Sequence, residues 1–354
     1  MSESMMAAVL HGKEDLRIEQ VPVPTIGPRD ILVKVGAALT CGTDLKVFRR
    51  GHHAKMINPP ALFGHELAGD VVAVGSQVTK FKVGQRVVAA NSAPCGDCFY
   101  CRRQKENLCE DLLFNNGAYA QYMRIPDRIV EKNCYEIPAG VGYREAAMAE
   151  PLACVLHGIE DTGIRAGDTV TVLGLGPIGL MFVRLATVVG ARVIAVGRRL
   201  QQLERAARMG AQELITARPG REPVDEVRAV TEGGRGSDVV IEAVGSPHVW
   251  RGAVEMVRSG GAVNFFGGCP KDTQVCLDTS LLHYAELTLK ASFHHTPRHI
   301  KSALDIIARG KINVGEFVIE EAPLTDLLDV FRHMMSHNGH LKTAILPNLE
   351  PLAG

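Results

Sequence analysis

The sequence predicts an α/β protein in which a β-rich part precedes a doubly wound parallel sheet. Up to about residue 150 the apolar runs are short, as in ILVKV, DVVAVG and RVVAA, and Pro and Gly interrupt them. From about residue 168 strand-like and helix-like patterns alternate, which is typical of a parallel sheet covered by helices. After about residue 295 helical and short extended patterns mix again. A length of 354 residues favours two domains.

The elements of the alternating part follow one another closely. DTVTVLGLG reads as a buried strand, and the next stretch places Ile178, Phe182, Leu185 and Val189 on one helical face. A strand at ARVIAVG, a charged helix at RLQQLERAARMG and strands at SDVVIEAVG, GAVNFFGG and ELTLKASF complete the pattern.

Composition excludes several classes of partner. Lys+Arg and Asp+Glu both number 39, so the chain has no net charge with which to attract nucleic acid or an anionic membrane. No apolar run reaches the roughly 20 residues that a membrane span needs. The N-terminal stretch MSESMMAAVLHGKEDLRIEQ lacks the basic start and long apolar run of a signal peptide. We therefore expect a cytoplasmic protein.

Four cysteines lie within one short stretch, PCGDCFYCRRQKENLC, with the spacing C-x2-C-x2-C-x7-C: Cys95, Cys98, Cys101 and Cys109. Because disulfides are disfavoured in a reducing compartment, the cluster favours a metal over a disulfide framework. Four thiolates can hold zinc tetrahedrally and leave no open position, which predicts a structural role. The alternatives are four free thiols, a redox dithiol without its usual strand-turn-helix context, or a nucleic-acid-binding zinc ribbon, which the neutral charge disfavours.

A glycine motif follows the first strand of the alternating part. Gly174, Gly176 and Gly179 form G-x-G-x-x-G between a strand and a helix, which predicts a dinucleotide site with the pyrophosphate at the helix N-terminus. The alternative is a glycine-rich turn of another α/β protein. The predicted cofactor-binding residues of this region are Gly174, Leu175, Gly176, Pro177, Ile178 and Gly179, with Val244 after a later strand.

The end of the next strand bears on cofactor choice. NAD-preferring folds usually carry Asp or Glu there, whereas this sequence has Gly197 followed by Arg198 and Arg199. No carboxylate would repel a 2′-phosphate, and two guanidinium groups could pair with it. We therefore favour NADP over NAD; the alternative is that the arginines only begin a solvated helix.

Four further side chains have the donor types of an open zinc site: Cys41, His65, Glu66 and Glu150. They belong to the stretches TCGTDLK, GHELAGDVVAVG and MAEPLACVLHG. Spacing alone cannot unite residues a hundred positions apart, and taken singly each is more often structural than metal-binding.

Taken together, these motifs resemble the zinc-containing medium-chain dehydrogenase/reductase family. The resemblance runs over nearly the whole chain and is closest to the polyol (sorbitol-like) and threonine dehydrogenase branches. It implies a GroES-like catalytic domain, residues 1–150 and 296–354, around a Rossmann domain, residues 151–295, with the active site in the cleft between them. It implies two zinc ions per chain, and that Cys41 and His65 bind the catalytic one. Glu66 and Glu150 then compete for the remaining protein position.

The resemblance also assigns residues around that zinc. Thr43 matches the hydroxyl that passes the alcohol proton toward the nicotinamide ribose, and Lys46 stands where relatives often have a histidine at the end of that relay. The alternative for Lys46 is an exposed lysine without a role. His294 and His295 replace the Arg-Tyr pair of sorbitol dehydrogenases, so they are either substrate contacts or ordinary loop residues. Two phenylalanines, Phe48 and Phe114, line the same pocket or belong to the core.

We therefore expect a zinc-dependent dehydrogenase that transfers a hydride between a secondary alcohol, such as a polyol, sugar or cyclitol, and NADP or NAD. A carboxylate in place of a second thiolate gives a harder, oxygen-rich site, which suits a chelating polyol. A threonine-type amino-alcohol dehydrogenase is the alternative. Less favoured are a zinc-free quinone or enoyl reductase and a non-catalytic binding protein. The expected partner is a small-molecule alcohol, and relatives imply a homodimer or homotetramer.

Overall fold

The computed structural model describes residues 3–52, 56–218, 222–336 and 339–349. The chain separates into two units, which we describe in turn: Met1–Ala153 with His295–Gly354, and Cys154–His294.

Short strands dominate the chain up to residue 147, as the alternating apolar pattern predicts. The strands are β1 (Ser4–Gly12), β2 (Asp15–Pro22), β3 (Ile31–Leu39), β4 (Ala61–Leu62), β5 (Glu66–Val74), β6 (Arg86–Ala89), β7 (Ser92–Ala93), β8 (Leu113–Phe114), β9 (Tyr122–Ile125) and β10 (Cys134–Glu136). The helices are α1 (Gly42–Arg50), α2 (Asp127–Lys132), α3 (Tyr143–Ala147) and α4 (Ala149–Thr162). Two 3₁₀ turns, Cys101–Arg103 and Glu106–Leu108, lie in the cysteine-rich loop.

Strands and helices then alternate through the second unit. The strands are β11 (Thr169–Leu173), β12 (Arg192–Gly197), β13 (Glu213–Thr216), β14 (Ser237–Glu242), β15 (Val257–Phe265) and β16 (Thr288–Lys290). The helices are α5 (Pro177–Val189), α6 (Leu200–Arg208), α7 (Val224–Ala229), α8 (Pro247–Met256) and α9 (Thr279–Tyr284), with a 3₁₀ turn at Glu232–Gly234.

The C-terminal segment returns to the first unit. It contains α10 (Pro297–Ala308), β17 (Val318–Pro323), α11 (Leu327–Met335) and β18 (Lys342–Leu346), with 3₁₀ turns at Val314–Glu316 and Leu324–Asp326. Strands β17 and β18 extend a seven-stranded mixed sheet in the order β10-β6-β5-β3-β18-β17, in which β9 also pairs with β3. Separate small sheets form in the orders β2-β1-β4 and β7-β8.

The core of the first unit is aromatic at its centre. Phe63, Tyr119 and Phe331 are fully buried, with ring centroids 6.0 and 6.1 Å apart in edge-to-face contacts. Phe48 is 5% exposed and lies 5.6 Å from Phe331, which places it in this core rather than in a pocket. Aromatic pairs of this geometry contribute about 0.5–1.5 kcal/mol each beyond the area that they bury.

The second unit is a doubly wound parallel sheet, which confirms the predicted fold class. Its six strands are all parallel, in the order β13-β12-β11-β14-β15-β16. The order reverses between β11 and β14, and ligands of such sheets bind at the carboxyl ends of the strands at this switch point.

Two details of this unit differ from the sequence-based expectation. Strand β13, with the sequence ELIT, was not predicted, because four residues that include Glu and Thr carry little apolar pattern. Helix α5 buries Phe182 and Leu185 as expected, but Val189 is 37% exposed since it ends the helix just before Gly190. Among the described residues, none of the helices is long and apolar enough to cross a membrane.

Candidate active site

The pairing of three strands brings one thiol, one imidazole and one carboxylate together. Strand β3 pairs antiparallel with β5, so that Leu39 lies opposite Glu66, and with β18, so that Leu39 also lies opposite Ala344. Cys41 lies two residues after the end of β3 and caps α1, where its Sγ accepts a hydrogen bond from the Thr43 amide at 3.4 Å. The donor atoms of Cys41, His65 and Glu66 all lie within 4.8 Å of one another.

A buried carboxylate orients the histidine of this group. Nδ1 of His65 lies 2.8 Å from Oδ1 of Asp44, while Oδ2 of Asp44 accepts a hydrogen bond of 2.7 Å from the Tyr119 hydroxyl. Metal-binding histidines typically use one ring N–H in this way, which leaves the other nitrogen for the metal. Burial disfavours the imidazolium, but the charges of Asp44 and Cys41 outweigh it and hold the pKa of His65 well above its ordinary value.

A buried lysine accompanies the carboxylate of the group. Nζ of Lys342 lies 2.7 Å from both carboxylate oxygens of Glu66 and also donates to the Thr40 carbonyl at 2.8 Å. Glu66 is 0% and Lys342 is 3% exposed, so water screens this pair very little. Burial raises the pKa of Glu66 to about 7, and Lys342 opposes that shift.

The second predicted carboxylate has a different environment. Glu150 lies in the first turn of α4, outside the group formed by Cys41, His65 and Glu66. It is near enough for its charge to raise the pKa of Glu66. Oε1 of Glu150 lies 3.5 Å from Nε2 of His295, and the same nitrogen lies 3.0 Å from Oδ1 of Asn91. His295 is therefore buried beside Glu150, with a side chain that is 0% exposed.

Four other predicted side chains lie on α1, on β8 and in the segment after β16. Thr43 is half-buried and Lys46 is exposed, both on α1, and Phe114 is half-buried in β8. His294 belongs to the second unit, has a φ of 63°, and its carbonyl accepts a hydrogen bond of 2.8 Å from Nδ1 of His157. Their predicted roles in a proton relay or in substrate contact stay predictions.

The four cysteines of the loop come together as a separate group, with Sγ atoms that lie within 4.8 Å of one another. The Sγ–Sγ distances are 3.9 Å for Cys95–Cys101, 3.9 Å for Cys98–Cys109 and 3.5 Å for Cys95–Cys109. A tetrahedron with Zn–S arms of 2.3 Å has edges of about 3.8 Å, so this donor set fits a closed zinc site. All four are free cysteines.

The three glycines of the motif have three different reasons to be glycine. Gly174 has a φ of +91° and a Cβ there would lie 2.6 Å from Val244 Cγ2. Gly176 precedes α5 and a Cβ there would meet nothing within 4 Å, so its backbone is open to a ligand. A Cβ on Gly179 would collide with the Gly174 carbonyl. These are the tight-turn, close-approach and helix-packing positions of a dinucleotide-binding loop.

The end of β12 carries positive charge. Arg198 is exposed and Arg199 is half-buried at the N-cap of α6. Burial, together with the neighbouring charge of Arg198, lowers the pKa of Arg199. In the part of the chain that the structure describes, neither guanidinium forms an ion pair with a carboxylate.

Both units match family models. Residues 27–139 match the alcohol dehydrogenase GroES-like domain, and residues 177–309 match the zinc-binding dehydrogenase domain. The chain belongs to the zinc-containing medium-chain dehydrogenase/reductase family. It is an oxidoreductase of the zinc alcohol/polyol dehydrogenase type, with a nicotinamide cofactor.

Relatives cover nearly all of this dehydrogenase. It is 32% identical to a sorbitol dehydrogenase of Bacillus subtilis over 354 residues, 98% of each chain, and 37% identical to an L-threonine 3-dehydrogenase of Bacillus licheniformis over 334 residues, 91% of this chain and 93% of the relative. Among solved structures it is similar to a zinc-binding dehydrogenase from Sinorhizobium meliloti bound to NADP, with a TM-score of 0.87 and 31% identity over 98% of this chain and 100% of the other.

Sequence reasoning missed the polar residues that support the group. Asp44 lies inside the CGTD stretch, where the Asp could have been read as a partner for a metal-binding histidine. Lys342 stands in LKTAIL, where a lone lysine at the start of an apolar strand was a signal that it needs a buried acid. Asn91 shows no signal in the sequence.

Proposed function

We propose that this dehydrogenase oxidises the secondary alcohol of a polyol, sugar or cyclitol and transfers the hydride to NADP. The observation that carries the proposal is the group of the partly buried Cys41 and the buried His65 and Glu66, which offers the donor types of an open catalytic zinc site. The similarity to a sorbitol dehydrogenase supports the substrate class.

Two donor sets of this chain would hold two zinc ions. Cys41, His65 and Glu66 would hold the catalytic ion, and the four-cysteine loop, Cys95, Cys98, Cys101 and Cys109, the structural one. When bound, the catalytic zinc would supply Lewis acidity toward the alcohol oxygen and the nicotinamide would accept the hydride. Asp44 holds His65 in one tautomer for that purpose.

Between the two carboxylates, we assign the metal-binding role to Glu66. Its oxygens lie with Cys41 and His65, and Lys342 compensates its charge. Glu150 stands beside the group, where His295 faces one of its oxygens. A carboxylate in that position can accept a hydrogen bond from a second hydroxyl, which a polyol has and a simple alcohol lacks.

The proton of the substrate hydroxyl needs a route to solvent. Thr43 and Lys46 lie three residues apart on α1, a spacing that places side chains on one helical face. We assign to the Thr43 hydroxyl the acceptance of the alcohol proton and to the exposed Lys46 its onward passage. The reaction then balances as alcohol and NADP⁺ giving ketone, NADPH and one proton.

The preference for NADP rests on the end of β12. Gly197, Arg198 and Arg199 offer no carboxylate against a 2′-phosphate and two positive charges toward it. Burial and the charge of Arg198 lower the pKa of Arg199, and an anionic ligand would relieve this repulsion between two guanidinium groups. The NADP-bound relative supports the same choice.

A threonine-type amino-alcohol dehydrogenase is the second candidate. The 37% identity to an L-threonine 3-dehydrogenase favours it, and Glu150 could pair with a substrate ammonium as readily as with a hydroxyl. The homodimer or homotetramer implied by relatives stays a prediction.

A reduction-coupled screen tests these assignments. Polyols, sugars, inositols and threonine would be offered with NAD and with NADP, and absorbance of the reduced nicotinamide recorded. We expect the highest kcat/KM for a polyol-type substrate with NADP, and a value lower by about a thousandfold or more in Cys41→Ala. Highest activity with threonine would select the second candidate, and undiminished activity in Cys41→Ala would contradict the metal assignment.

A further inference from the structure

A buried carboxylate lies at the point where the strand order of the parallel sheet reverses. Glu242 is the last residue of β14, which lies next to β11, the strand that leads into the glycine motif. Glu242 is 0% exposed. None of the roles assigned above uses it.

Glu242 organises the turn that follows its own strand. Oε1 accepts hydrogen bonds from the amides of Val244 at 2.8 Å and Gly245 at 2.9 Å. Its main-chain carbonyl accepts from the amides of Phe266 at 3.0 Å and Gly267 at 2.8 Å. One residue therefore holds the turns after both β14 and β15.

These turns are in close contact with the glycine motif. Val244 Cγ2 fills the space that a side chain at position 174 would need, because a Cβ on Gly174 would lie only 2.6 Å from it. Gly245 has a φ of +78° and packs on Gly268. A Cβ on Gly245 would lie 2.6 Å from the Gly268 carbonyl oxygen. Displacement of the 243–245 turn would therefore move the surface on which Gly174 rests.

Within the described ranges, the other oxygen of the carboxylate has no hydrogen-bond partner. Among the described residues no donor reaches Oε2 of Glu242, and a Cβ on Gly267 would lie 2.7 Å from it. The indole of Trp250 on α8 also faces the carboxyl group, but its N–H donates to the Gly267 carbonyl at 3.1 Å. A buried carboxylate with one unpaired oxygen is costly, and a carboxyl that gains a proton removes the charge.

The surrounding charges do not neutralise Glu242. Glu222 is the acidic neighbour that acts on it, and His248 on α8 lies 3.5 Å from Glu222. Burial raises the pKa of Glu242 to about 7, and the hydrogen bonds from Gly245 and Val244 limit the shift.

We propose that Glu242 is a positioning residue whose ionised form holds the 243–245 turn against the glycine motif and thereby tightens nicotinamide cofactor binding. The neutral acid accepts the same two amide hydrogen bonds more weakly, so the turn loosens and the cofactor dissociates more readily as the carboxyl is protonated. This inference rests on the proposed binding of the dinucleotide at Gly174–Gly179.

The test is a fluorescence titration of cofactor binding at pH 6 and pH 8. NADH is the probe, because the 2′-phosphate of NADPH itself titrates near pH 6. We expect wild-type Kd to be about threefold to tenfold higher at pH 6, the size expected from weakening of two hydrogen bonds. Glu242→Gln should show the weak value at both pH values. Glu222→Gln removes the neighbouring charge that raises the pKa of Glu242, so it should show a smaller difference in Kd between pH 6 and pH 8 than wild type.

Hydrogen exchange of the wild-type protein is the second measurement, which needs no variant to fold. The Val244 and Gly245 amides exchange through local opening of the turn, which breaks their hydrogen bonds to a carboxyl group that stays buried. After correction for intrinsic rates, they should be less protected at pH 6 than at pH 8, although the free energy of global unfolding falls over the same window. Equal protection, or a Glu242→Gln protein that binds NADH as tightly as wild type with the same pH dependence, would overturn the inference. Failure of wild type to bind either NADH or NADPH would instead overturn the proposed function.

Discussion

The two metal-donor groups of the first unit are built in opposite ways. The four-cysteine loop takes all its donors from residues 95–109, and two of them are only partly buried. The Cys41 group takes donors from two strand ends and depends on Lys342, which is 276 residues from Glu66. The first group is local and closed by its own loop. The second combines a partly buried thiol with a buried imidazole and a buried carboxylate, which charged partners on a helix and on a distant strand hold in place.

From this difference we expect the four-cysteine loop to affect mainly stability and the Cys41 group to affect mainly catalysis. A local thiolate set contributes by fixing its loop, and removing it should affect folding first. A buried group with an unequal set of donors and a compensating lysine contributes an environment for reaction, and removing a donor should affect turnover first. Substitutions in each group test this contrast.

Paired cysteine substitutions should give the largest and most opposite effects. Cys41→Ala should lower kcat/KM by about a thousandfold or more, because Lewis acidity is worth several kcal/mol, and should leave Tm nearly unchanged. Cys98→Ala should lower Tm by about 10 °C, because loss of a structural metal site costs several kcal/mol. Calorimetry and steady-state kinetics on both variants check this.

The same pair of variants can contradict the proposed division into a structural and a catalytic group. A Cys41→Ala protein that melts as early as Cys98→Ala would show that both groups are structural.

Removal of Lys342 should be the next largest effect. Lys342→Met leaves Glu66 buried without its cation, which we expect to lower the free energy of unfolding by about 3–5 kcal/mol. Urea denaturation measures this, with Lys342→Arg as the matched control that keeps the charge. Equal stability of wild type and Lys342→Met would mean that Glu66 does not rely on this pair.

Glu242 extends the comparison to a buried carboxylate without a cation. Because its folded pKa of about 7 exceeds its ordinary value of 4.5, the folded state binds more protons between these values, and stability falls as pH rises through that window. The loss is on the order of 3 kcal/mol and levels off above pH 7. Urea denaturation from pH 5 to 8 should show this fall in wild type and not in Glu242→Gln. Parallel curves for the two proteins would contradict it.

The arginine pair should give the smallest effect. Arg198→Ala/Arg199→Ala should raise KM for NADP about tenfold, because charge-assisted hydrogen bonds to a phosphate contribute about 1.5 kcal/mol or more, and leave KM for NAD within about twofold. Initial rates with each cofactor measure this. An equal rise for both cofactors would assign the arginines to the shared part of the dinucleotide.

The sequence predicts what is local and periodic. The GxGxxG loop and the four-cysteine loop are contiguous, so their spacing alone predicts their geometry, and the parallel sheet follows from alternating patterns. The grouping of Cys41, His65 and Glu66 needed a family resemblance, because strand register rather than spacing joins them.

The supporting contacts could not be predicted, for a physical reason. Lys342 reaches Glu66 only because β18 pairs with β3, and His295 faces Glu150 and Asn91 only because three distant segments converge. Phe48 could not be assigned to core or pocket until its ring was seen against Phe331. Such contacts depend on tertiary pairing, for which a single sequence carries no pattern.

The zinc content of purified protein tests the central claim most directly. Mass spectrometric metal analysis should find two zinc ions per chain in wild type and one in Cys41→Ala/His65→Ala, since only the four-cysteine site remains. When Cys98→Ala and Cys109→Ala are added to that protein, the remaining zinc ion should also be lost. Two zinc ions in the Cys41→Ala/His65→Ala protein would contradict the assignment of the catalytic site to the Cys41 group.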